Sequence, residues 1–391
     1  MLQSSKKNWS FIFFAFILIL FSSCTVSKDY ILEDRFRTEE ELPGFDMQNE
    51  YAPSAGSVCR SGSVYYYYDM LKHYIYYYDE STGTSGKLCG KAECTHDTRE
   101  CNAYSNGCIQ IYDGKLYFIG DTGGLYRMDL SGNNREFVMV VRNLNGSDSK
   151  CFIHRGYVYS SVITSEVAKG KASSTFSLYQ QRLGQTDTLT EITKKSFEGV
   201  AFHYWIIRGN RLYLSLGELD SDSKSVQNEL SCYHIQTGEL ETLWSDRTDY
   251  FISQLIADDT GINMMQDQLT MTESYFVRFD LESRSIQQLL NSPDPIMPAG
   301  CFSQDKVMWY GTRSSMEEGK PPQYQILDVQ GSLISEGYFP SETQNKPVFF
   351  IRWGGDEKGF LFNLYNMENN VSKLMRIPYE DKEIETLIAT R

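Results

Sequence analysis

Three cysteines and a histidine lie within thirteen residues of the segment KLCGKAECTHDTREC, residues 87–101, and another cysteine follows; the five residues are Cys89, Cys94, His96, Cys101 and Cys108. Thiolate and imidazole groups are the ligands that Zn²⁺ prefers. The spacing C-x4-C-x-H-x4-C lacks the C-x2-C pair that usually makes a zinc knuckle. In an oxidising compartment the same cysteines would form disulfides. A disulfide staple, a zinc site and free thiols therefore all remain open.

The N-terminus indicates the compartment in which this chemistry takes place. Lys6 and Lys7 precede an apolar run over residues 11–21, and two small residues separate that run from Cys24. This order is typical of a secretory signal peptide. The run is shorter than the roughly 20 residues that a membrane-spanning helix needs. The sequence therefore predicts a cleaved signal peptide over residues 1–23 and a protein that works outside the cytoplasm, where the cysteines are expected to pair.

The residues around the cleavage site, LFSSC at 20–24, resemble the lipobox of bacterial lipoproteins. The resemblance implies that a diacylglycerol, with palmitate-like acyl chains, is attached to Cys24. Acyl chains at roughly 0.8 kcal/mol per buried methylene would hold the protein on a membrane without a spanning helix. The expected location is the extracytoplasmic face of a bacterial cell membrane.

Charge and composition exclude some partners and favour one fold class. The chain carries 37 basic and 51 acidic residues. Cleavage of the predicted signal peptide would remove two lysines, which leaves a net charge of 35 − 51 = −16 on the mature chain. Such a surface disfavours nucleic acid. The 27 tyrosines and 22 phenylalanines suit half-buried β-strands. Residues 24–56 are acidic and poorly patterned, which predicts a tether with little structure of its own and a short helix near Glu39.

A strand and turn pattern recurs seven times over residues 57–391. In each copy an alternating strand, a turn and a second strand follow a short apolar segment. The second strands begin near residues spaced 42 to 54 apart, namely Val64, Leu116, Val158, Leu212, Ile262, Val307 and Phe360. Four-stranded units at this period are typical of β-propellers. The sequence therefore predicts an all-β chain with one propeller domain of seven four-stranded blades.

Two segments resemble known families. GLYRMDLSGNNREFV, residues 124–138, resembles the repeat of the domain of unknown function DUF5050, a propeller-like domain of exported proteins. LCGKAECTHDTRECNAY, residues 88–104, is similar to a recurring element of uncharacterised bacterial lipoproteins. Neither family has an established activity, so the resemblance implies fold and location alone.

Tyrosine runs at residues 65–68 and 76–78 are the other candidates for recognition. Alternation along a strand sends half of each run to one face, where Tyr65, Tyr67, Tyr76 and Tyr78 would stack on sugar rings or bind a partner. Packing between neighbouring blades is the alternative. The scattered histidines, among them His154 and His203, are interpreted as ordinary strand or loop residues.

Catalytic motifs are absent from the sequence: it has no G-x-S-x-G, H-E-x-x-H, P-loop or G-x-G-x-x-G pattern. The predicted function is that of a membrane-anchored binding or scaffold lipoprotein that recognises an envelope protein or glycan. The alternative is a propeller hydrolase or lyase with acidic residues at the central channel. Zinc at the Cys/His segment is the only cofactor that the sequence suggests, and it indicates no catalytic residue.

Overall fold

The computed structural model describes residues 33–48, 57–142, 144, 150–168, 171–219, 224–293, 297–303, 305–311, 320–344, 348–380 and 383–390. These residues form seven antiparallel sheets of four strands each, which is the predicted seven-bladed β-propeller. Within every sheet the four strands follow one another in chain order, so each blade is one contiguous segment. Over the ranges described, no helix is long and apolar enough to cross a membrane.

Blades 1 to 4 follow the tether. Their strands are β1 Val58–Ser61, β2 Val64–Asp69, β3 Tyr74–Asp79, β4 Thr84–Lys87, β5 Gln110–Tyr112, β6 Lys115–Ile119, β7 Gly124–Asp129, β8 Glu136–Val140, β9 Lys150–His154, β10 Tyr157–Ala168, β11 Lys171–Arg182, β12 Thr190–Phe197, β13 Ala201–Arg208, β14 Arg211–Leu219, β15 Val226–His234 and β16 Glu239–Thr248. In each blade the first strand turns tightly into the second, and this turn is called here the first turn of the blade.

Blades 5 to 7 complete the ring. Their strands are β17 Tyr250–Ala257, β18 Gly261–Gln268, β19 Ser274–Asp280, β20 Ile286–Asn291, β21 Ala299–Ser303, β22 Lys306–Tyr310, β23 Gln323–Asp328, β24 Leu333–Tyr338, β25 Val348–Gly355, β26 Gly359–Asn366, β27 Val371–Pro378 and β28 Glu385–Thr390. The described residues also contain three short 3₁₀-helices, at Asp34–Phe36, Asp121–Gly123 and Ser341–Gln344.

The strands of blade 1 show why the tyrosine runs are strands. Successive side chains of a strand point to opposite faces. In β2, Tyr65 and Tyr67 therefore pack against blade 7, while Tyr66 and Tyr68 pack against blade 2. Because a blade has a neighbour on each face, every residue of the run is buried. A continuous aromatic run is thus compatible with a strand that is covered on both sides.

The hydrophobic core consists of layers between the blades rather than one central cluster. Separate buried clusters join blades 7 and 1, 1 and 2, 2 and 3, 4 and 5, 5 and 6, and 6 and 7. Between blades 3 and 4, the Trp205 indole lies edge-on to Phe152 and donates a hydrogen bond to Ser161 at 2.9 Å. Each blade is therefore stabilised by its two neighbours, as in other repeat architectures.

The chain divides into two units, Met1–Arg37 and Thr38–Arg391, and only residues 33–37 of the first are described. The described part of the first unit contains the 3₁₀-helix Asp34–Phe36, and Glu39 is not helical, so the helix expected near Glu39 is a single turn that ends three residues earlier. Residues 38–48, called here the strap, belong to the same unit as the propeller. The predicted signal peptide and Cys24 lie outside the described residues.

Candidate functional site

The structure brings four of the five residues of the Cys/His segment together. The ligand atoms of Cys89, Cys94, His96 and Cys101 all lie within 4.8 Å of one another. The Cys101 sulfur is 3.6 Å from His96 Nδ1. Cys108 is not part of this group and contacts the cluster of apolar residues between blades 2 and 3. The four residues are called here the Cys/His cluster, and they have the donor set of a structural zinc site.

The loop that follows β4 positions the Cys/His cluster. His96 has a φ of +59°, a left-handed conformation that turns the chain back between Cys94 and Cys101. The carbonyl oxygen of His96 accepts a hydrogen bond from the Lys87 ammonium at 2.5 Å. Backbone N–H groups of Lys91 and Asn102 donate to the Cys89 sulfur, and that of Ala103 donates to the Cys101 sulfur; these three donors orient the two thiols.

Contacts with blade 2 hold the same loop from the other side. The carbonyl oxygen of Gly132, in the turn between β7 and β8, accepts hydrogen bonds from Gly90 N at 3.1 Å and Asn102 Nδ2 at 2.8 Å. Arg135 donates to the Cys101 carbonyl at 2.7 Å. A Cβ atom at Gly132 would lie 2.8 Å from the Leu88 backbone, and the φ of Gly132 is +80°. Glycine is therefore required for this close approach.

Two thiols of the cluster have opposite electrostatic environments. Burial raises the pKa of Cys89, but the hydrogen bonds from Lys91 and Asn102 outweigh it, so the pKa lies below its ordinary value. Burial raises the pKa of the Cys101 thiol to about 12, and hydrogen bonds with Cys94 and Cys89 add to this rise. Of these two thiols, Cys89 is thus the one better prepared to lose its proton.

No disulfide joins any two of the described cysteines in the structure. Cys59, Cys151, Cys232 and Cys301 are buried and lie in the layers between blades, where they pack as small apolar residues. The sequence-based expectation of a disulfide within the Cys/His segment stays a prediction, as does lipidation of Cys24.

Three of the four candidate binding tyrosines are not on a surface. Tyr65, Tyr67 and Tyr76 are 0%, 0% and 6% exposed and pack in the layer between blades 1 and 7, against which Tyr78 is partly buried. Inter-blade packing, the alternative to contact with a ligand, therefore describes these three residues in the structure, and a role of the candidate tyrosines in binding stays a prediction. The physical reason is that blade 1 has a neighbouring blade on both faces.

A second group of functional residues could not be recognised from the sequence. It forms where the strap crosses the first turns of successive blades. Backbone hydrogen bonds join Asp113 N in blade 2 to Gly44 O at 2.7 Å and Arg155 N in blade 3 to Phe45 O at 2.9 Å. In blade 4, Asn210 Nδ2 donates to Thr38 O at 2.6 Å. Residues 38–48, part of the segment predicted to be a tether with little structure of its own, are therefore bound to the end of the propeller at which the first turns lie.

A buried arginine clamps the strap. Arg155 is 1% exposed, and its guanidinium donates to the two carboxylate oxygens of Asp46 at 2.6 and 2.9 Å. It also donates to the carbonyl oxygens of Glu40, at 2.6 Å, and Thr38. This bidentate pair satisfies a charge that would otherwise be costly to bury.

His154, the neighbour of Arg155, also lies beneath the strap. Its Nδ1 accepts a hydrogen bond from Met47 N at 3.1 Å, and its Nε2 donates to the Gly209 carbonyl at 2.7 Å. Burial lowers the pKa of His154 to about 4, although the nearby Asp46 carboxylate opposes this effect. The imidazole is therefore neutral at neutral pH. The signal in the sequence was the adjacent pair His154 and Arg155 at a turn after a hydrophobic strand.

Comparisons with known proteins support the fold. No family model matches the sequence, and no curated protein matches it. Among solved structures, a prolyl endopeptidase is 11% identical with a TM-score of 0.53, over 87% of this chain and 50% of that one. A puromycin hydrolase mutant is 11% identical with a TM-score of 0.52, over 90% and 56%. An oligogalacturonate lyase in complex with manganese is 10% identical with a TM-score of 0.49, over 88% and 89%.

The matches cover part of the solved chains and have low sequence identity. This chain spans about half the length of the endopeptidase and hydrolase chains. At these identities the likeness concerns the architecture alone. The likeness to the endopeptidase and the hydrolase therefore supports the fold, and any activity of this chain has to be argued from its own residues.

Proposed function

We propose that the protein is a lipid-anchored, extracytoplasmic β-propeller that binds a partner protein of the cell envelope. The observation that carries this proposal is the clamped strap, because it fixes the end of the propeller at which the chain from the N-terminus arrives. The predicted anchor, Cys24, precedes Thr38 by 14 residues. A chain of that length reaches at most about 50 Å.

The strap would keep the end with the first turns toward the membrane. Hydrogen bonds attach it to the first turns of three successive blades, and Gln48 extends the contact to blade 1 through the Arg60 carbonyl at 3.3 Å. Tension from a membrane anchor would therefore be distributed over several blades. The opposite end of the propeller would face away from the membrane, where a partner can reach it.

The hairpin formed by β10 and β11 projects from that opposite end. The two strands pair over the whole of Tyr157–Ala168 and Lys171–Arg182, whereas β9 covers only residues 157–161 of β10. Since the first turn of blade 3 lies at residues 154–157, residues 162–168 extend away from the strap. Residues 164–167 are exposed, and Val167 is 77% exposed.

This projecting strand favours a protein as the partner. Among the described strands, residues 162–168 pair only with β11, and in this proposal the other edge offers its backbone donors and acceptors to a partner. An exposed strand edge of this kind is where a partner adds a strand of its own. The strongly acidic mature chain disfavours partners rich in phosphate. A glycan partner is an alternative outcome of the test below.

Photo-crosslinking in cells tests the proposal. A crosslinking amino acid replaces Val167 in the full-length chain, and the matched control replaces Leu333, an apolar residue that is 55% exposed on the outer strand of blade 6. We expect one envelope protein to be captured at Val167 and absent at Leu333. Identical products at both positions, or a glycan-sized adduct at Val167, would overturn the protein-binding proposal.

Two further measurements test the anchor and the catalytic alternative. We expect the Cys24→Ser protein to leave the membrane fraction, and its retention after a carbonate wash would overturn the lipid anchor. The full-length protein should show no turnover of glycoside, ester, peptide or phosphate substrates. Turnover that disappears when one channel-facing carboxylate is removed would instead support a propeller hydrolase or lyase.

A further inference from the structure

We propose that Cys89, Cys94, His96 and Cys101 bind one Zn²⁺ ion in a closed tetrahedral site that braces blade 1 against blade 2. The proposal does not depend on the protein's partner or on its anchor. It rests on the donor set, on the distances within the Cys/His cluster and on the hydrogen bonds that fix its loop.

The distances fit a tetrahedral ion. Zinc lies about 2.3 Å from a thiolate sulfur and about 2.0 to 2.1 Å from an imidazole nitrogen. With tetrahedral angles, these bond lengths place a sulfur and a nitrogen ligand about 3.5 Å apart and two sulfur ligands about 3.8 Å apart. The observed separation of 3.6 Å between Cys101 Sγ and His96 Nδ1 matches the first value. No pair in the cluster is more than 4.8 Å apart.

The surroundings of the cluster favour three thiolates bound to a metal ion over three protonated thiols. Backbone N–H groups donate to the sulfurs of Cys89 and Cys101, and such hydrogen bonds stabilise thiolates in metal sites. Binding would release one proton from each of the three thiols. Three thiolates, a neutral imidazole and Zn²⁺ carry a net charge of −1. Three cations complement that charge. They donate hydrogen bonds to backbone carbonyl oxygens of this loop, and they are Lys87, Lys91 and Arg135.

The ligand set argues for a structural role. Three cysteines and one histidine fill all four tetrahedral positions, so no position is left for water or a substrate. The loop contacts both blades: Ala103 O accepts from Ile75 N in β3 at 2.8 Å, and Gly90 N donates to Gly132 O in blade 2. Strand β4, which precedes the loop, is only four residues long. A metal ion would therefore join the short outer edge of blade 1 to its neighbour.

Metal analysis of the full-length protein tests the proposal. The chain is purified in detergent under reducing conditions, supplied with Zn²⁺, dialysed and analysed for metal. We expect one zinc ion per chain in the wild type and in the control Cys108→Ser, whose cysteine lies outside the cluster. We expect Cys94→Ser to retain little or none. Equal zinc content in the Cys94→Ser and wild-type proteins would overturn the assignment.

A second measurement needs no variant and separates misfolding from loss of a ligand. Titration of the reduced, metal-free wild type with Co²⁺ should give the visible absorption of tetrahedral cobalt bound by thiolates, and Zn²⁺ should abolish it. Three thiols should become reactive toward a maleimide when the metal is chelated. If the reduced protein binds neither metal, or if a disulfide within the segment is the stable form even under reducing conditions, the zinc site is refuted.

Discussion

Protonation of His154 is expected to lower the free energy of unfolding of the protein in mild acid. The neutral ring accepts a hydrogen bond from Met47 N and donates one to the Gly209 carbonyl, so it joins the strap to the first turn of blade 4. The protonated ring can no longer accept the bond from Met47. Beneath the strap it would also lie next to the Arg155 guanidinium, which disfavours a second positive charge.

The magnitude follows from the displaced pKa. Burial lowers the pKa of His154 from 6.5 to about 4. The unfolded chain therefore binds a proton below pH 6.5, whereas the folded chain resists it until about pH 4, so stability is present above pH 6.5 and is lost as the pH falls toward 4. At about 1.4 kcal/mol per pH unit, the loss is roughly 2 kcal/mol at pH 5 and roughly 3 kcal/mol at pH 4.

Urea unfolding at pH 7.5 and pH 5.0 measures this loss. In a His154→Gln variant, the side-chain amide can make both hydrogen bonds but does not titrate, so its free energy of unfolding should fall by roughly 2 kcal/mol less than that of the wild type. The control for proteolysis of the strap is His203→Gln. Burial lowers the pKa of His203 to about 3, but this residue lies away from the strap. Proteolysis within the strap at pH 5.0 should accelerate in the wild type and in His203→Gln, but not in His154→Gln. If wild type and His154→Gln lose equal stability, the reasoning is refuted.

Three further substitutions, the last with a matched control, test other parts of the fold by urea unfolding. Arg155→Met should cost about 3 to 5 kcal/mol, because it leaves a largely buried carboxylate unpaired; a cost below 1 kcal/mol would argue against the clamp. Tyr67→Phe should cost about 1 to 3 kcal/mol, because the buried Asn363 amide loses its acceptor between blades 1 and 7; an unchanged stability would contradict this role. Gly132→Ala should cost about 1 to 3 kcal/mol and weaken zinc binding, whereas Gly114→Ala, with φ +69° and open space around its Cβ position, should cost less and leave zinc binding unchanged.

The blade pattern could be predicted almost to the residue. The expected starts of the second strands fall within one residue of the observed starts, which are Val64, Lys115, Tyr157, Arg211, Gly261, Lys306 and Gly359. The reason is local: each second strand follows a tight turn and is buried on both faces, so the turn residues and the apolar run appear together in the sequence.

The Cys/His cluster could be predicted only as a set of candidates. The spacing of Cys89, Cys94, His96 and Cys101 shows that the residues are near in sequence, but not that they converge. Their convergence depends on Gly132, which holds the loop from blade 2, and on a left-handed turn at His96. Neither feature can be recognised from the spacing of ligands. For the same reason the sequence alone could not show that Cys108, which also lies near these residues in the sequence, is not part of the cluster.

The strap escaped prediction because its partners are far away in the sequence. Asp46 and Arg155 are separated by 109 positions, and the acidic composition around Asp46 is typical of a solvated tether. What composition does not reveal is that one carboxylate of an acidic segment can be matched by a single buried arginine. The isolated apolar residues Leu42 and Phe45, on either side of a Pro-Gly turn, were the local sign that part of the segment is bound.

The junction between blades 7 and 1 differs from the others because these two blades are the first and the last in chain order, so no loop of the chain connects them. Each of the two blades is one contiguous segment, and among the described residues a cluster of side chains joins them. Here the tyrosine hydroxyls are bonded across the junction: Tyr65 receives a hydrogen bond from Arg376 at 2.7 Å, and Tyr67 lies 2.5 Å from the Ser372 hydroxyl. A purely apolar face would pack on any other apolar blade, including that of a second molecule. Buried polar groups are costly unless their own partners are present, so we expect this network to favour closure by blade 7 over association with another chain.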